Sequence, residues 1–345
     1  MSPTAAPTRR RSTLAFLAFS IVTIAIIGWG SPAAADPPGP TNYESRITSI
    51  TPSVDGIEAS IVGGDSFVSL RVLAGEVVVL GYENEPYLRF KTGGRVEENS
   101  LSPAVVLNES RYGATVDANA DTKAEPVWRE VADGGSYVWH DHRIHWMVRS
   151  LPPQLRGSSE GKVFDWEVPL RVDGQPVSIR GELTRSSPPS ILPYVALTLA
   201  AFGAAAMAIR RIRWTAAALL ALVSVSAFVV SSGDQLSIPP AAGRRLSFIT
   251  IPALAGICAL VACTRRRSIY AFPLKAASAL IVPIWIAFNY GALRNARLPG
   301  DVAPVAMRTV VAVATAVVVA FALFDVPREL REAAARNAAL VRDED

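Results

Sequence analysis

The residue types best suited to chemistry are concentrated in residues 137–147, which we call the histidine segment. It reads Tyr-Val-Trp-His-Asp-His-Arg-Ile-His-Trp-Met and contains all 3 histidines of the chain. Because side chains alternate between the two faces of an extended strand, His140 and His142 would share one face. His145 would lie on the opposite face, and it joins the other two only where the chain bends near Arg143.

This grouping predicts a metal site. Imidazole is a good ligand for zinc and for copper, so either ion would suit the histidine segment. Met147 would add a thioether that favours copper(I). Asp141 would either bind the metal directly or hold the ring N–H of a ligating histidine. The predicted metal ligands are therefore His140, His142, His145, Asp141 and Met147.

Two other uses of the histidine segment stay open. In the first, the histidines are structural, and Trp139 and Trp146 are core residues or anchors at a headgroup region or a partner surface. In the second, His142 or His145 acts as a general base and is oriented by the carboxylate of Asp141 or Glu83. These alternatives predict a contact surface and an enzyme, respectively.

A second group of polar residues lies in residues 81–90. Glu83 and Glu85 would share a strand face and form an acid pair or a cation site. Tyr87 and Arg89 follow closely and extend this candidate surface. The alternative is a strand that ends in a proline turn, which would give these residues a role in the fold only.

Residues 1–36 have the pattern of a signal peptide. Residues 9–11 are arginines, residues 14–30 are largely apolar, and three alanines precede Asp36 as a cleavage site. This pattern predicts export and cleavage, with an uncleaved anchor as the alternative. The chain that follows would then lie on the outer side of the membrane.

Residues 44–187 have the pattern of a β-domain and follow a proline-rich linker at 37–43. Short β-branched runs alternate with glycine and proline turns, and Asp173-Gly174 between two long runs predicts a hairpin. Residues 97–125 are polar and aperiodic, which predicts a long loop. The whole predicts an antiparallel β-sandwich, of which the immunoglobulin fold is one form. Both cysteines lie beyond this domain, so it cannot hold an internal disulfide.

Residues 190–325 contain five apolar runs, each long enough for a transmembrane helix. Arginine clusters at 210–213 and 265–267 follow the first and third runs, where the positive-inside rule expects a cytoplasmic side. The sequence therefore predicts a multi-pass protein of the plasma membrane with its β-domain outside. Residues 326–345 would form a cytoplasmic helical tail, with Asp325 as its cap. The five runs are 191–209, 214–232, 247–264, 269–289 and 303–324.

The charge pattern argues against two function classes. The net charge is +4, but the basic residues lie at the ends of the apolar runs, so nucleic-acid binding has no support. No acidic residue lies near the middle of a run, which disfavours a proton-coupled transporter. Lys275 and Arg308 lie near run ends, where their side chains would reach the headgroups. The expected partners are the lipid bilayer and a protein of the cell envelope.

The stretch from Trp139 to Met147 reads Trp-His-Asp-His-Arg-x-His-Trp-Met. It resembles a family of actinobacterial membrane proteins of uncharacterised activity. That resemblance covers most of the chain and implies an export signal, a soluble outer domain and several C-terminal spans. It implies no activity.

The sequence as a whole predicts a non-enzymatic membrane protein of the cell envelope. Its exported β-domain would present the histidine segment as a copper or zinc site or as a contact surface for a partner protein. Two alternatives remain. One is an envelope enzyme that uses a histidine–carboxylate pair, and the other is the accessory domain of a small permease.

Overall fold

A computed structural model describes residues 36–344 of the chain, apart from 114 and 116–118. Its strands fall between Tyr43 and Arg185, and long apolar helices follow. The predicted order, an antiparallel β-region and then five apolar helices, is thus confirmed. The predicted signal peptide lies outside the described residues, except for Asp36.

The β-region consists of two antiparallel sheets. The larger sheet has the strand order β1-β10-β9-β4-β5-β6-β7, and the smaller one has the order β2-β3-β8. The strands are β1 (Tyr43–Thr51), β2 (Ile57–Val62), β3 (Phe67–Val72), β4 (Val77–Leu80), β5 (Pro86–Phe90), β6 (Val96–Asn99), β7 (Trp128–Ala132), β8 (Ser136–His140), β9 (Gly161–Val172) and β10 (Gln175–Arg185).

Turn chemistry explains how the chain moves between strands. Asp173 and Gly174 have φ angles of 47° and 80°, as a tight hairpin turn requires, and they join β9 to β10 as predicted. The connection between β3 and β4 is different, because it carries the chain from the smaller sheet to the larger one. The stretch 97–125, predicted to be a loop, contains most of β6 and a short helix, α1 (Ala104–Leu107).

The two sheets bury their apolar faces in one shared core. From Trp166 to Val172 in β9 every second side chain is buried, which is the pattern of a strand with one face against a core. The smaller sheet contributes Ile57, Val68 and Leu70 to the same cluster that holds Val79 and Leu88 of the larger sheet. The sheets do not close into a barrel, and the immunoglobulin form is not confirmed.

Among the described residues, five helices are long and apolar enough to cross a membrane. The first four match the apolar runs found in the sequence. The helices of the bundle are α2 (Leu192–Arg211), α3 (Thr215–Ser237), α4 (Ser247–Thr264), α5 (Ala271–Asn289), α6 (Pro304–Ala320) and α7 (Val326–Glu344).

The fifth span differs from expectation, because it continues into the tail. A π-helical turn, Phe321–Asp325, joins α6 to α7 without a break, so Asp325 does not cap a separate helix. Its buried carboxylate instead accepts a bond of 2.5 Å from Lys275 Nζ. Arg308 is also buried and donates to the Ala292 carbonyl at 2.8 Å. Lys275 therefore pairs with a carboxylate and Arg308 with backbone carbonyls, and neither side chain extends to the headgroups as predicted.

The β-region rests directly on one end of the bundle. Thr41 and Arg297 exchange backbone hydrogen bonds of 3.2 and 3.0 Å, and the Arg297 guanidinium pairs with Glu44. Phe67 and Val138 of the smaller sheet pack against Ile238 in the loop after α3. The strand that carries His140 is thus held against the loops of the bundle.

Candidate metal centre

The histidine segment changes from strand to turn within two residues. Strand β8 ends at His140, and a 3-10 turn occupies His142–Ile144. Asp141 Oδ1 accepts a 3.0 Å hydrogen bond from the Arg143 backbone N–H and so caps this turn. The turn ends the strand alternation at His140. This bend brings His145 to the side of His140 and His142. The predicted third imidazole ligand requires such a bend near Arg143.

The three imidazole rings form one cluster. Their ring centroids are 5.8 Å apart for His140 and His142, 4.7 Å for His140 and His145, and 5.2 Å for His142 and His145. One nitrogen from each ring lies within 4.8 Å of the others. Tetrahedral coordination with bonds of about 2.0–2.1 Å places nitrogens about 3.3 Å apart. The rings would therefore have to move closer together to close the site around an ion.

Backbone carbonyls fix the tautomers of two of the rings. His142 Nε2 lies 2.9 Å from the Ser110 carbonyl, and His145 Nε2 lies 2.9 Å from the Arg111 carbonyl. Because a carbonyl only accepts, each Nε2 must carry the proton, and in the neutral ring Nδ1 keeps its lone pair. Ligating histidines show the same arrangement, with the nitrogen that does not bind the metal donating to a carbonyl.

His140 has an unusual environment for a neutral ring. Both of its ring nitrogens are buried without a hydrogen-bond partner among the described residues, and so is Nδ1 of His145. The Ser66 backbone lies near the His140 ring but outside hydrogen-bond geometry. Leaving a buried polar atom unpaired costs about 1–3 kcal/mol. A single cation between these adjacent rings would pair one nitrogen of His140 and Nδ1 of His145.

Burial keeps two of the rings uncharged. It lowers the pKa of His140 to about 3, and the nearby charges of His142 and Arg111 act in the same direction. Burial likewise lowers the pKa of His145 to about 3, helped by Arg111 and then His140. Both rings are neutral near pH 7, which is the form that binds metal.

The Asp141 carboxylate bonds to Arg143 and Trp139 and is not part of the imidazole cluster. This carboxylate is fully buried and accepts bonds from Arg143 Nε at 2.8 Å, Arg143 Nη2 at 2.7 Å and Trp139 Nε1 at 3.0 Å. Burial by itself would raise the pKa of Asp141, but the Arg143 charge and these hydrogen bonds hold it below its usual value. Its oxygens are therefore committed to Arg143 and Trp139, and not to an imidazole.

Met147 and Trp146 lie at the more open side of the cluster. A Cβ atom added to Gly113 would lie 3.5 Å from His142 Cε1 and 3.9 Å from Met147 Cε, so the His142 ring and the methionine methyl both lie beside Gly113. Met147 is partly exposed. Trp146 is also partly exposed, and its indole donates to the Ser150 carbonyl at 2.8 Å. Trp139, by contrast, is buried in the core.

The loop that supplies the carbonyl acceptors is itself anchored by charge. Arg111 forms two bonds to the buried carboxylate of Asp65, at 2.5 and 3.1 Å. The Tyr82 hydroxyl accepts from the His142 backbone N–H at 2.9 Å and donates to Asn108 at 2.5 Å. Sequence reasoning missed these residues, because they act over long chain separations and form no motif.

The second candidate surface is not assembled as predicted. Residues 81–85 form a turn before β5, so Glu83 and Glu85 do not share a strand face. Glu85 is buried and accepts from Ser102 Oγ at 2.6 Å, whereas Glu83 is exposed and bonds to Thr122 at 3.1 Å.

The two residues that extended this candidate surface belong to the fold. Tyr87 is buried in the shared core of the sheets. Arg89 Nε pairs with Glu97 at 2.8 Å, and its guanidinium lies 4.3 Å from the centre of the Trp128 ring. The carboxylates of Glu83 and Glu85 thus form neither an acid pair nor a shared cation site, and these polar residues stabilise the larger sheet.

Comparison with protein-family models, with curated proteins and with solved structures finds no match to the chain. The resemblance of the histidine segment to actinobacterial membrane proteins therefore stays a prediction. The case for a function rests on the geometry of the site.

The low pKa values of the buried histidines predict a pH-dependent stability of the metal-free chain. An unfolded histidine takes up a proton near pH 6.5, whereas the folded His140 and His145 do so only near pH 3. Stability is therefore complete above pH 6.5 and is lost as the pH falls from there towards 3. By about pH 5 the loss is on the order of 2 kcal/mol per histidine.

Urea unfolding of the full chain in detergent with a metal chelator, followed by tryptophan fluorescence, measures this loss. A His145→Gln variant, which removes one of the two groups, should show a weaker pH dependence over the same range. A transition midpoint that does not move between about pH 7.5 and pH 5 would contradict the assignment of two buried neutral rings.

Proposed function

We propose that the protein is a membrane-anchored, metal-binding protein of the cell envelope. Its β-region would hold one zinc or copper ion through His140, His142 and His145. The observation that carries this proposal is the convergence of three rings, two of which have buried nitrogens without partners, while carbonyls hold Nε2 of His142 and His145. A cation at the centre would pair one nitrogen of each ring.

A purely structural role accounts less well for the same cluster. Buried polar side chains in folded proteins are hydrogen-bonded in the large majority of cases. His140, with neither ring nitrogen paired among the described residues, is an expensive choice for packing alone. An apolar side chain of similar size would fill that space without an unpaired donor. A ligand role explains why an imidazole is placed there.

The donor set is compatible with both metals. Three imidazoles are a common ligand set for zinc sites in which the fourth position is left for water or another ligand. The Met147 thioether would favour copper(I) instead, and its methyl group lies beside Gly113, as the His142 ring does. Asp141 fixes the turn that brings the ligands together. The contact with a partner protein, the other use of this segment, would occur at its partly exposed side.

Other functions receive weaker support. In the described part of the chain, no carboxylate hydrogen bond reaches an imidazole of the cluster, so a histidine–carboxylate pair for acid–base catalysis is not assembled. The bundle interior contains a cluster of alanine, valine, leucine and isoleucine side chains around Trp285. Such dense apolar packing does not favour a polar path for a permease.

The proposal includes a topology and a fold type. The β-region would lie outside the plasma membrane and the C-terminal helix inside, after cleavage of the signal peptide or with an uncleaved anchor. Support comes from the arginine clusters at 210–213 and 265–267, which follow helices that lead away from the β-region. The core shared by the two sheets supports a β-sandwich, with the immunoglobulin form as its finer version.

Metal uptake tests the proposed function. The purified full chain in detergent should bind one zinc or copper ion at neutral pH in a calorimetric titration. His140→Ala and His142→Ala should each weaken binding by at least about 100-fold, because each removes one of only three imidazole ligands. Trp146→Phe, which removes only the indole bond to Ser150, is the matched control and should bind normally.

Two results would overturn the metal proposal. One is the absence of uptake of either ion by a wild-type chain that unfolds cooperatively. The other is equal uptake by wild type and by both histidine variants, which would place the ion elsewhere.

Labelling of intact cells tests the topology. Single cysteines are introduced in a chain whose native Cys258 and Cys263 are replaced by alanine. A membrane-impermeant maleimide should label Glu160→Cys in the exposed part of the β-region and should not label Ala334→Cys in α7. Labelling of Ala334→Cys alone in intact cells would show the reverse orientation. Labelling of both variants only after the cells are opened would contradict an outer position of the β-region.

A further inference from the structure

A cavity with a basic lining lies at the end of the bundle remote from the sheets. It has a volume of 640 Å³ and is bounded by the loops that join α2 to α3 and α4 to α5, together with α7. Its cationic lining residues are Arg213, Arg266, Arg267, Lys275 and Arg336, against one carboxylate, Glu329. We propose that this cavity binds the phosphate group of an anionic phospholipid.

The positive charge of the cavity is only partly neutralised by the protein. Lys275 Nζ, at its base, pairs with Asp325 at 2.5 Å and with Glu329 at 2.8 Å. Arg213 and Arg336 both approach Glu332. These contacts use the nearby acidic groups, so the other cationic residues of the lining have none of these carboxylates as a partner.

Arg266 and Arg267 are the cations that remain. Within the described residues, neither forms an ion pair or a side-chain hydrogen bond, and both are exposed. The two arginines are neighbours in the sequence, and each guanidinium has free donors in the planar arrangement that phosphate oxygens accept. Basic pockets between membrane helices at the headgroup level bind phosphate-bearing headgroups through this chemistry.

Apolar side chains favour a lipid over a free phosphate ion. Trp214, Ile269 and Phe272 line the same cavity as the arginines. Trp214 and Ile269 keep 51% and 73% of their surface exposed at the ends of spans, where acyl chains and headgroups meet. A free phosphate ion would gain nothing from these apolar side chains. A phospholipid would contact both the cationic residues and the apolar surface.

The arginine run itself offers a matched control. Arg265 is the exposed neighbour of Arg266 in the same run of three, yet it does not line the cavity. Arg265→Gln changes the net charge of the loop without changing the cavity. The double variant Arg266→Gln/Arg267→Gln removes the two unpaired charges. Neither change touches the core of the bundle, so both variants are expected to fold.

Retention of lipid by the full chain tests the proposal. The protein in detergent is titrated with phosphatidylglycerol, with phosphatidylcholine or with inorganic phosphate, and bound molecules are counted by native mass spectrometry. Phosphatidylglycerol should be retained about tenfold more strongly than phosphatidylcholine, and inorganic phosphate should not displace it. Arg266→Gln/Arg267→Gln should abolish this preference, while Arg265→Gln should keep it.

Three outcomes would overturn the proposal. The first is equal retention of the two lipids by the wild-type chain. The second is an unchanged preference in the Arg266→Gln/Arg267→Gln variant. The third is displacement of the lipid by inorganic phosphate, which would identify a free anion as the ligand. None of these outcomes bears on metal binding, because the cavity and the histidine cluster lie at opposite ends of the bundle.

Discussion

The candidate site depends on one buried ion pair, between Asp141 and Arg143. The Asp141 carboxylate is removed from water, and Arg143 returns two charge-assisted hydrogen bonds to it, with a third from Trp139. The same carboxylate caps the 3-10 turn. Removing one partner of a buried pair typically costs about 3–5 kcal/mol, because the other charge is left uncompensated. The turn that brings His145 to its two neighbours rests on this interaction.

The cluster also depends on parts of the chain far from it in sequence. The carbonyls that fix two ring tautomers belong to Ser110 and Arg111, and Arg111 is anchored in turn by Asp65. The ring of Phe67 meets the His140 ring edge-on at 5.2 Å and packs onto the bundle loop as well. The site is therefore built where the smaller sheet, a loop and the membrane bundle meet. An ion bound there would lie close to the bundle surface.

Much of the architecture is legible in the sequence because it depends on local patterns. Hydropathy over about 20 residues locates the five spans, and Asp173-Gly174 marks a hairpin because these residues accept positive φ angles. Strand alternation does not account for the His140–His142 pair, because strand β8 ends at His140 and His142 lies in the 3-10 turn. A strand pattern does not show where an aspartate will cap a turn, so the bend that brings in His145 could not be located from the sequence.

The features that sequence reasoning missed are non-local. A backbone carbonyl has no residue signature, so the acceptors at Ser110 and Arg111 could not be anticipated. Lys275 and Asp325 are 50 residues apart, so the sequence does not show that they form a buried pair. The local pattern predicts a headgroup contact for Lys275 and a helix cap for Asp325 instead. Glu83 and Glu85 were assigned to one strand face, but strand β5 starts only at Pro86. In each case a tertiary contact overrides a local pattern.

The most direct test of the central claim is X-ray absorption spectroscopy of the zinc-loaded full chain. The account predicts three imidazole nitrogens at about 2.0–2.1 Å, with the remaining position filled by a light atom from solvent. It also predicts that the outer-shell scattering typical of imidazole rings falls by one third in the His145→Gln variant. A first shell of water and carboxylate oxygens, with one imidazole or none, would contradict it.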